Sequence, residues 1–415
     1  MHRFVQRVKI FCKTFRRDIT GATFLFRAKI FIGLRERRNE TVAEAFKKVA
    51  TRSPHKVAFY CDNEVWTFSE MDQFSNKVAN CFQSLGYKAG DEVALFMESK
   101  PRQIGTWLGL AKIGVVPALV NTNLKHKSLE HSVTVINAKA FIFDSEYFSV
   151  VKEVMPLINQ KVKLDYFSFG SIDKQLLAES PVELKPLKKM IAKASIDDVK
   201  FKGNFSDRLF YIYTSGTTGL PKAAIIKNSR YFVLSKGSNM AMQLGKDDVL
   251  YTPLPLYHMA ATMLGVSQSL IFGVSVALRP KFSASKFWED CVHFKCTAAQ
   301  YIGELCRYLL NHSETPNDRR HNVRIMYGNG LKPSIWPAFQ RRFGIKRIVE
   351  VYGATESNSS MINILGKQGA CGFIPRIFPL WFLRLTYPVA LVKANEVTGE
   401  VIRNKKGLCE ILPLS

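Results

Sequence analysis

The sequence predicts an α/β fold with mainly parallel sheets. From about Thr41, segments with strand character alternate with segments whose apolar residues recur at helical spacing, and this alternation is typical of parallel strands joined by helical crossovers. A second run of the same kind begins at Leu209 with the apolar string LFYIY. Since 415 residues exceed the usual size of one compact core, we expect one large domain with subdomains, or two to three domains.

The first run of elements can be read in order. Thr41 is a candidate N-cap for a helix with Phe46 on its inner face. A short hairpin with strands at 57–60 and 65–68 is expected next. The elements after it alternate regularly: helix 69–85, strand 91–96, helix 104–112, strand 115–120, helix 128–137 and strand 140–143.

The run 249–278 contains no Lys, Arg, Asp or Glu, so a hydropathy scan could mistake it for a membrane span. Pro253 and Pro255 interrupt it, and proline does not continue a helix. We expect this run to lie in the buried core as a loop, a helix at 260–272 and a strand at 274–278.

The charge balance favours anionic partners. Fifty-nine Lys and Arg against 34 Asp and Glu leave a net charge of +25, which suits phosphates, carboxylates, acidic lipid surfaces or nucleic acid. No nucleic-acid motif accompanies the charge, so we expect no nucleic-acid partner. The eight cysteines form no C-x-x-C pair, which argues against a structural zinc site or a disulfide framework and favours reduced thiols facing the cytosol.

Residues 1–38 are rich in cations and poor in acids, with aromatic residues between the cations. The longest uncharged run in this segment, 19–26, is far shorter than the about 20 apolar residues that cross a bilayer. This pattern predicts a helix lying on an anionic membrane face. A transit peptide and a solvated basic arm are the alternatives.

The segment 209–222 runs from an apolar strand into a loop rich in glycine and hydroxyl side chains. Gly216 and Gly219 allow the backbone to approach oxygen atoms closely, and Lys222 adds a cation. Four hydroxyl side chains can donate hydrogen bonds there: Thr214, Ser215, Thr217 and Thr218. Two residues separate the last glycine from the lysine, so this anion-binding loop is not a Walker A loop.

The string YTSGTTGLPKA at 213–223 resembles the signature of the adenylate-forming acyl-CoA synthetases. Three other strings resemble motifs of that superfamily: LPLYH at 254–258 its substrate-pocket motif, GNG at 328–330 its adenine-facing turn and YGATES at 352–357 its second ATP motif. The strings at 281–288 and 300–308 resemble the branch of fatty acid transport proteins and very-long-chain acyl-CoA synthetases.

The resemblance implies ATP-dependent activation of a long- or very-long-chain fatty acid to acyl-CoA through an acyl-adenylate, coupled to fatty acid uptake, with ATP, Mg²⁺ and coenzyme A taking part. Since the reactants are anions, such a site must neutralise and align them. The residues implied to hold the phosphates are Tyr213, Thr214, Ser215, Gly216, Thr217, Thr218, Gly219 and Lys222.

The second ATP motif supplies further candidates. The resemblance implies that Thr355 donates to the α-phosphate and that Glu356 holds Mg²⁺, a cation that prefers carboxylate and phosphate oxygens. Tyr352 offers a face for adenine, with core packing as the alternative, and His258 either acts near the acyl carboxylate or is a satisfied core histidine. The candidate catalytic residues are Lys222, Thr355, Glu356 and His258. The remaining residues expected around the nucleotide are Gly328, Asn329, Gly330, Gly353 and Ala354.

The fold that the resemblance implies is the large N-terminal domain of these enzymes. Residues 185–202 are Lys-rich and irregular, and we predict that they connect the subdomains. We therefore expect a basic amphipathic membrane-associating segment at 1–40, a first α/β subdomain with its connector at 41–200, and a second α/β subdomain with the ATP motifs at 201–415.

The family pattern continues through a ribose-binding segment, a hinge and a small C-terminal domain with a catalytic lysine, none of which has a counterpart in this sequence. We therefore expect this chain to bind ATP with or without full turnover, and the alternative is a non-catalytic lipid- and nucleotide-binding protein at a membrane. The expected location is the cytosol-facing surface of the endoplasmic reticulum or plasma membrane. The sequence leaves the oligomeric state open.

Overall fold

The computed structural model describes residues 2–214, 219–357, 359–379, 381–383, 387 and 389–412, and only the backbone of residues 2–9 and 176. The strands are β1 (Val57–Cys61), β2 (Glu64–Thr67), β3 (Glu92–Phe96), β4 (Val116–Leu119), β5 (Ala138–Asp144), β6 (Asp165–Phe169), β7 (Leu184–Pro186), β8 (Arg208–Thr214), β9 (Lys222–Lys227), β10 (Val249–Thr252), β11 (Ser275–Leu278), β12 (Ala298–Ile302), β13 (Ile325–Asn329), β14 (Arg347–Tyr352) and β15 (Met361–Ile362).

The helices of the described residues lie between these strands and before them. They are α1 (His2–Arg37), α2 (Val42–Arg52), α3 (Phe68–Ser84), α4 (Pro101–Ala111), α5 (His126–Thr134), α6 (Phe148–Asn159), α7 (Lys174–Ala178), α8 (Leu187–Lys193), α9 (Asn228–Met242), α10 (Ser267–Phe272), α11 (Ala284–His293), α12 (Gly303–Asn311), α13 (Asn317–Arg320) and α14 (Trp336–Phe343). Every element predicted between residues 41 and 143 is confirmed, with shifts of a few residues at the ends.

Local sequence explains how the first helices begin. Thr41 accepts the backbone N–H of Glu44, and the Glu44 carboxylate accepts the backbone N–H of Thr41. Thr67 and Glu70 form the same reciprocal pair at the start of α3. Each pair satisfies backbone donors that a helix leaves unpaired at its N-terminus, so both boundaries are fixed by sequence.

Two sheets organise the chain. One has seven strands in the order β7-β6-β5-β3-β4-β8-β9, and the other has eight in the order β15-β14-β13-β12-β10-β11-β1-β2. Neighbouring strands are parallel except in the pairs β8-β9, β1-β2 and β14-β15. Sheet membership does not follow the boundary predicted near residue 200, because β8 pairs with β4 and β1 pairs with β11; the subdomain division itself stays a prediction.

The two sheets share one apolar core. Buried residues of the seven-stranded sheet, such as Leu95, and of the eight-stranded sheet, such as Val276, pack with helices α2, α3, α4, α9 and α10 between the sheets. A second cluster with Val151 of α6 covers the outer face of the seven-stranded sheet, and a third with Trp336 of α14 covers that of the eight-stranded sheet. Helices therefore lie on both faces of each mainly parallel sheet, which buries the apolar strands.

The connector predicted at 185–202 is wrong in its first half. Residues 184–186 form the edge strand β7, which pairs with β6, and α8 follows directly. Leu187 and Ile191 lie one helical turn apart and are buried in the shared core. Helix α8 has only seven residues, several of them lysines. Its apolar spacing is therefore too short to be recognised as helical periodicity in the sequence.

The uncharged run 249–278 is buried as expected. It forms β10, a π-helix at Ala260–Val266 that continues into α10, and β11. The predicted helix is therefore confirmed, although its first part has π geometry. Among the described residues, no helix combines the length and hydropathy that crossing a bilayer requires.

Helix α1 docks along one face on the rest of the chain. The ring of Phe31 lies 5.7 Å from that of Phe272 on α10. The fully buried Asp18 carboxylate accepts the backbone N–H groups of Arg376 at 2.6 Å and Ile377 at 3.1 Å. The predicted N-terminal helix is confirmed, and its described contacts make it a packed element, unlike the solvated arm considered as an alternative.

We predict that Phe59→Ala lowers the free energy of unfolding by about 3–5 kcal/mol, because the fully buried Phe59 ring on β1 belongs to the shared core. Val65→Ala on the neighbouring strand β2 removes a side chain that is 54% exposed and should change it by about 0.5 kcal/mol or less. Urea denaturation of both variants measures the difference, and equal losses would contradict the assignment of Phe59 to the core.

Candidate functional site

The carboxyl ends of β10, β12, β13 and β14 lie along one edge of the eight-stranded sheet, because these strands are parallel neighbours. Three of the motifs follow these ends: 254–258 after β10, 328–330 at the end of β13 and 352–357 at the end of β14. Ligands of open parallel sheets bind at the carboxyl ends of the strands. The fold therefore brings these three motifs to the edge where such a ligand is expected.

The corresponding edge of the seven-stranded sheet meets this one at the motif after β10. Ser99, just after β3, accepts the backbone N–H of Leu256 at 2.9 Å. Asn123, just after β4, donates to the Tyr257 hydroxyl at 3.0 Å. Because β8 is the parallel neighbour of β4, the loop that starts after Thr214 leaves its sheet beside this junction.

The middle of the predicted phosphate loop, Ser215, Gly216, Thr217 and Thr218, lies outside the described residues. Its two ends are described: Thr214 and Lys222 face each other as the last pair of the β8-β9 hairpin. Gly219 has a φ of +86°, a conformation that favours glycine. Lys222 is exposed, so its ammonium group is available to an anion at the end of the hairpin.

The Tyr213 side chain faces away from this loop. Its ring is buried, and its hydroxyl donates to the backbone carbonyl of Ser132 on α5. Burial raises the pKa of the Tyr213 hydroxyl. His131 of the same helix lies 3.0 Å, through Nε2, from the carbonyl oxygen of Pro221. Tyr213 on β8 and Pro221, just before β9, therefore link the hairpin to α5, and Tyr213 could reach a phosphate only through its backbone.

The turn at 328–330 is held very close to its neighbours. A Cβ atom on Gly303, at the start of α12, would lie 1.7 Å from the carbonyl oxygen of Gly330. A Cβ on Gly328 would lie 2.1 Å from the carbonyl oxygen of Tyr301. Gly330 has a φ of +82°. Only glycine fits these approaches, and Asn329 and Gly330 remain exposed at the edge.

A buried carboxylate supports the turn from behind. Glu350 of β14 is 6% exposed; its Oε1 accepts the backbone N–H groups of Gly330 and of Leu331, the latter at 3.2 Å. Its Oε2 accepts the hydroxyl of Tyr301. Burial raises the pKa of the Glu350 carboxyl group, and these three hydrogen bonds oppose that rise.

The second ATP motif is open to solvent. Tyr352 is 69% exposed, which is unusual for a large aromatic ring at the end of a sheet strand. Gly353, Ala354 and Glu356 are exposed as well, and Thr355 is half-buried. The Tyr352 ring is therefore not packed in the core in this structure, and its exposed face can stack on a planar group.

Arg230, in the first turn of α9, contacts this motif. Its Nη2 donates to the carbonyl oxygen of Ser357 at 2.6 Å. Burial lowers the pKa of Arg230, and the nearby Glu356 carboxylate opposes that effect. At the other end of α9, Arg347, the first residue of β14, donates to the Ala241 carbonyl. Helix α9 therefore runs antiparallel to β14, and its positive N-terminal end points to the edge with the motif.

His258 stands at the junction of the two sheets. It is exposed and packs edge-to-face on Tyr257, with ring centroids 4.6 Å apart. Desolvation by the surrounding protein lowers the pKa of its imidazole. This arrangement does not match the alternative of a satisfied core histidine.

The structure thus joins the motifs after β10, β13 and β14 along one edge and brings the hairpin loop to the adjoining edge. Among the described residues, no hydrogen bond or ion pair connects Lys222 with Thr355 or Glu356, and no three metal-binding side chains cluster. A single carboxylate fits Mg²⁺, which keeps water and phosphate oxygens as its other ligands. The sequence analysis missed Arg230, Tyr301 and Glu350; a charged residue inside the apolar string RIVEVY was the available signal for Glu350.

We predict that Gly303→Ala lowers the melting temperature and displaces the turn at 328–330, because the new methyl group would overlap the Gly330 carbonyl. Gly33→Ala is the matched control: it lies in α1, a methyl group there meets nothing within 4 Å, and replacing a helical glycine should stabilise by up to about 1 kcal/mol. Calorimetry compares the two, and an unchanged melting temperature for Gly303→Ala would rule out the close packing.

Comparisons with known proteins agree with this architecture. The family model described as AMP-binding enzyme matches residues 46–381. Human long-chain fatty acid transport protein 1 is 45% identical over 404 residues, which cover 97% of this chain and 61% of the relative. Rat long-chain fatty acid transport protein 2 is 37% identical, covering 91% and 60%. The chain therefore spans about 61% of the length of the first of these curated relatives, and the resemblance to this branch is confirmed.

Solved structures show the same fold at low identity. An anthranilate CoA ligase in complex with anthranoyl-AMP superposes with a TM-score of 0.73 at 17% identity, over 90% of this chain and 67% of that chain. A fatty acyl CoA synthetase of Mycobacterium tuberculosis superposes with a TM-score of 0.68 at 20% identity, over 90% and 68%. The predicted fold class is confirmed. With its motifs gathered at the edges of two parallel sheets, the chain belongs to the AMP-binding enzyme family.

Proposed function

We propose that this chain uses ATP to activate a long- or very-long-chain fatty acid, in support of fatty acid uptake. In the first step a carboxylate oxygen of the fatty acid attacks the α-phosphorus of ATP, and pyrophosphate leaves. In the second step the thiolate of coenzyme A attacks the acyl carbon, and AMP leaves. The observation that carries the proposal is the meeting of the two sheet edges around the motif after β10.

The anionic reactants must be neutralised and aligned, and the resemblance of the motifs implies the roles of the residues. Lys222 and the loop from Thr214 to Gly219 would hold the phosphates that leave as pyrophosphate. Thr355 would donate to the α-phosphate, and Glu356 would hold Mg²⁺, which supplies charge neutralisation at the phosphates. The His258 ring, whose pKa desolvation lowers, would lie near the acyl carboxylate.

The adenine side of the proposed site uses an aromatic face and an open turn. The exposed Tyr352 ring would stack on the base. Asn329 and Gly330, which are exposed at the end of β13, would leave room at its edge. Arg230 would fix the backbone of the second ATP motif through the Ser357 carbonyl, so that Thr355 and Glu356 keep their orientation.

We predict that Lys222→Ala lowers pyrophosphate release by about 100-fold, because a cation aimed at developing charge is lost. Glu356→Ala should act in the same direction through weaker Mg²⁺ binding. Lys227→Ala is the matched control, since Lys227 is exposed at the opposite end of β9 and should leave the rate unchanged. The assay contains ATP, Mg²⁺ and a long-chain fatty acid.

The same assay separates catalysis from binding. Pyrophosphate release that depends on both residues supports the proposed activation. Saturable ATP binding without pyrophosphate release would favour the non-catalytic lipid- and nucleotide-binding protein instead. If the wild-type chain binds no ATP at all, both readings are excluded.

The outer face of α1 supports a membrane surface as a second partner. Six large apolar side chains on this helix are exposed, between 41% and 65%: Phe11, Phe15, Ile19, Phe26, Ile30 and Leu34. Their spacing of mostly four residues places them along one side of the helix. Exposed cations flank this apolar stripe: Lys13, Arg16, Arg27 and Lys29. Apolar insertion with a cationic border suits an anionic lipid surface.

The proposed location is the cytosolic face of the endoplasmic reticulum or plasma membrane. Cytosolic leaflets carry anionic lipids, which would attract the basic face of α1. ATP and coenzyme A are available on that side. The free cysteines among the described residues agree with a reducing compartment.

We predict that the double variant Phe15→Ser, Phe26→Ser binds vesicles containing phosphatidylserine at least about tenfold more weakly, because apolar insertion is lost. ATP binding should not change. Leu157→Ser is the control, as Leu157 is 44% exposed on α6, outside the stripe. Sedimentation with anionic and neutral vesicles measures binding, and full binding by the double variant would eliminate the stripe as the contact.

A further inference from the structure

We propose that Glu350 is a positioning residue that fixes the turn at 328–330 for recognition of the nucleotide base, and that Tyr301 orients Glu350 for this task. The proposal rests on the ATP site proposed above and adds a selectivity device to it. Neither residue belongs to the strings that resemble nucleotide motifs. Glu350 accepts hydrogen bonds from the backbone of the turn, and Tyr301 donates one to Glu350.

The three residues form a row across three parallel strands. Tyr301 of β12 pairs with Gly328 of β13, and Gly328 pairs with Glu350 of β14. Paired residues of neighbouring strands point to the same face of a sheet. A Cβ atom on Gly328 would lie 2.8 Å from the Tyr301 ring. The glycine therefore clears the path by which the Tyr301 hydroxyl crosses β13 and reaches the Glu350 carboxylate.

The carboxylate matches the donors around it. Oε1 accepts the N–H groups of two consecutive residues, Gly330 and Leu331, and Oε2 accepts the Tyr301 hydroxyl. An ionised carboxylate only accepts hydrogen bonds, and all three groups around it donate them. Among the described contacts of Glu350 there is no cation, although burial of a carboxylate without a cation is costly. The hydrogen bonds to the turn offset that cost. This indicates that the role of the carboxylate is to hold the backbone of the turn.

The position of Glu350 connects the two sides of the proposed base site. Glu350 and Tyr352 are two residues apart on β14, so both side chains leave the same face of the strand. The carboxylate holds the turn, and the exposed ring of Tyr352 forms the opposite wall.

Glu350→Gln tests the proposal with little change in volume. The amide oxygen can still accept from the turn, but the amide group now points a donor at the Tyr301 hydroxyl. We expect AMP to bind about tenfold more weakly, inorganic pyrophosphate to bind as before, and the preference for ATP over GTP to fall. Tyr301→Phe, which removes one donor, should change the same quantities by a smaller factor.

Glu92→Gln is the matched control. Glu92 is also a buried carboxylate on a parallel strand, at 7% exposure, and it accepts the Tyr211 hydroxyl and the backbone N–H of Asn137. Unlike Glu350, it also pairs with a cation, the Arg208 guanidinium. It lies at the amino end of β3, at the edge of the sheet opposite the proposed site. Glu92→Gln should leave the AMP affinity unchanged, whatever it does to the melting temperature.

Calorimetric titration of each full-length variant with AMP and with pyrophosphate gives the outcome. Weaker AMP binding with unchanged pyrophosphate binding in Glu350→Gln, absent in Glu92→Gln, supports the proposal. Unchanged AMP binding in Glu350→Gln and Tyr301→Phe, or equal losses in Glu350→Gln and Glu92→Gln, would overturn it. If Glu350→Gln does not fold, Tyr301→Phe decides by the same criterion. A wild-type chain that binds neither ligand would overturn the proposed function as well.

Discussion

The shared apolar core is the constraint on which the site depends. Helices between the two sheets bury side chains from both, so the sheets cannot move apart without exposing that surface to water at a cost of about 25 cal/mol per Å². This packing sets the relation between the two carboxyl edges. The contacts of Ser99 with Leu256 and of Asn123 with Tyr257 are the local result, and they give the motif after β10 its place between the sheets.

The elements predicted correctly from the sequence are those whose burial or boundaries depend on residues close together in the chain. Buried parallel strands are continuous apolar runs, and the capping pairs at Thr41 and Thr67 mark helix starts within four residues. The edge strand β7 was missed because three residues carry no period. The pairing of β8 with β4 could not be predicted, because a strand's own residues do not say which distant strand lies beside it.

The residues of the candidate site also fall into those that the sequence reveals and those that only the structure reveals. Gly328, Tyr352 and Glu356 belong to short strings that can be recognised without a structure, whereas Arg230 and Glu350 lie outside those strings and act on residues elsewhere in the chain. Tyr213 shows the converse, since it belongs to the recognised string and yet its side chain bonds to α5. A motif identifies which backbone approaches a ligand. It does not tell which side chains hold that backbone in place.

The buried Asp18 carboxylate has a consequence for the order in which the chain acquires its structure. Its two backbone partners lie 358 and 359 residues further along, so α1 leaves the ribosome long before the residues that bury its aspartate. At about 5–20 residues per second, synthesis leaves this acid without those partners for roughly 20–70 s. During that interval the contacts of Phe31 with α10 can already form, whereas the hydrogen bonds that bury Asp18 form only after residue 377 has been made.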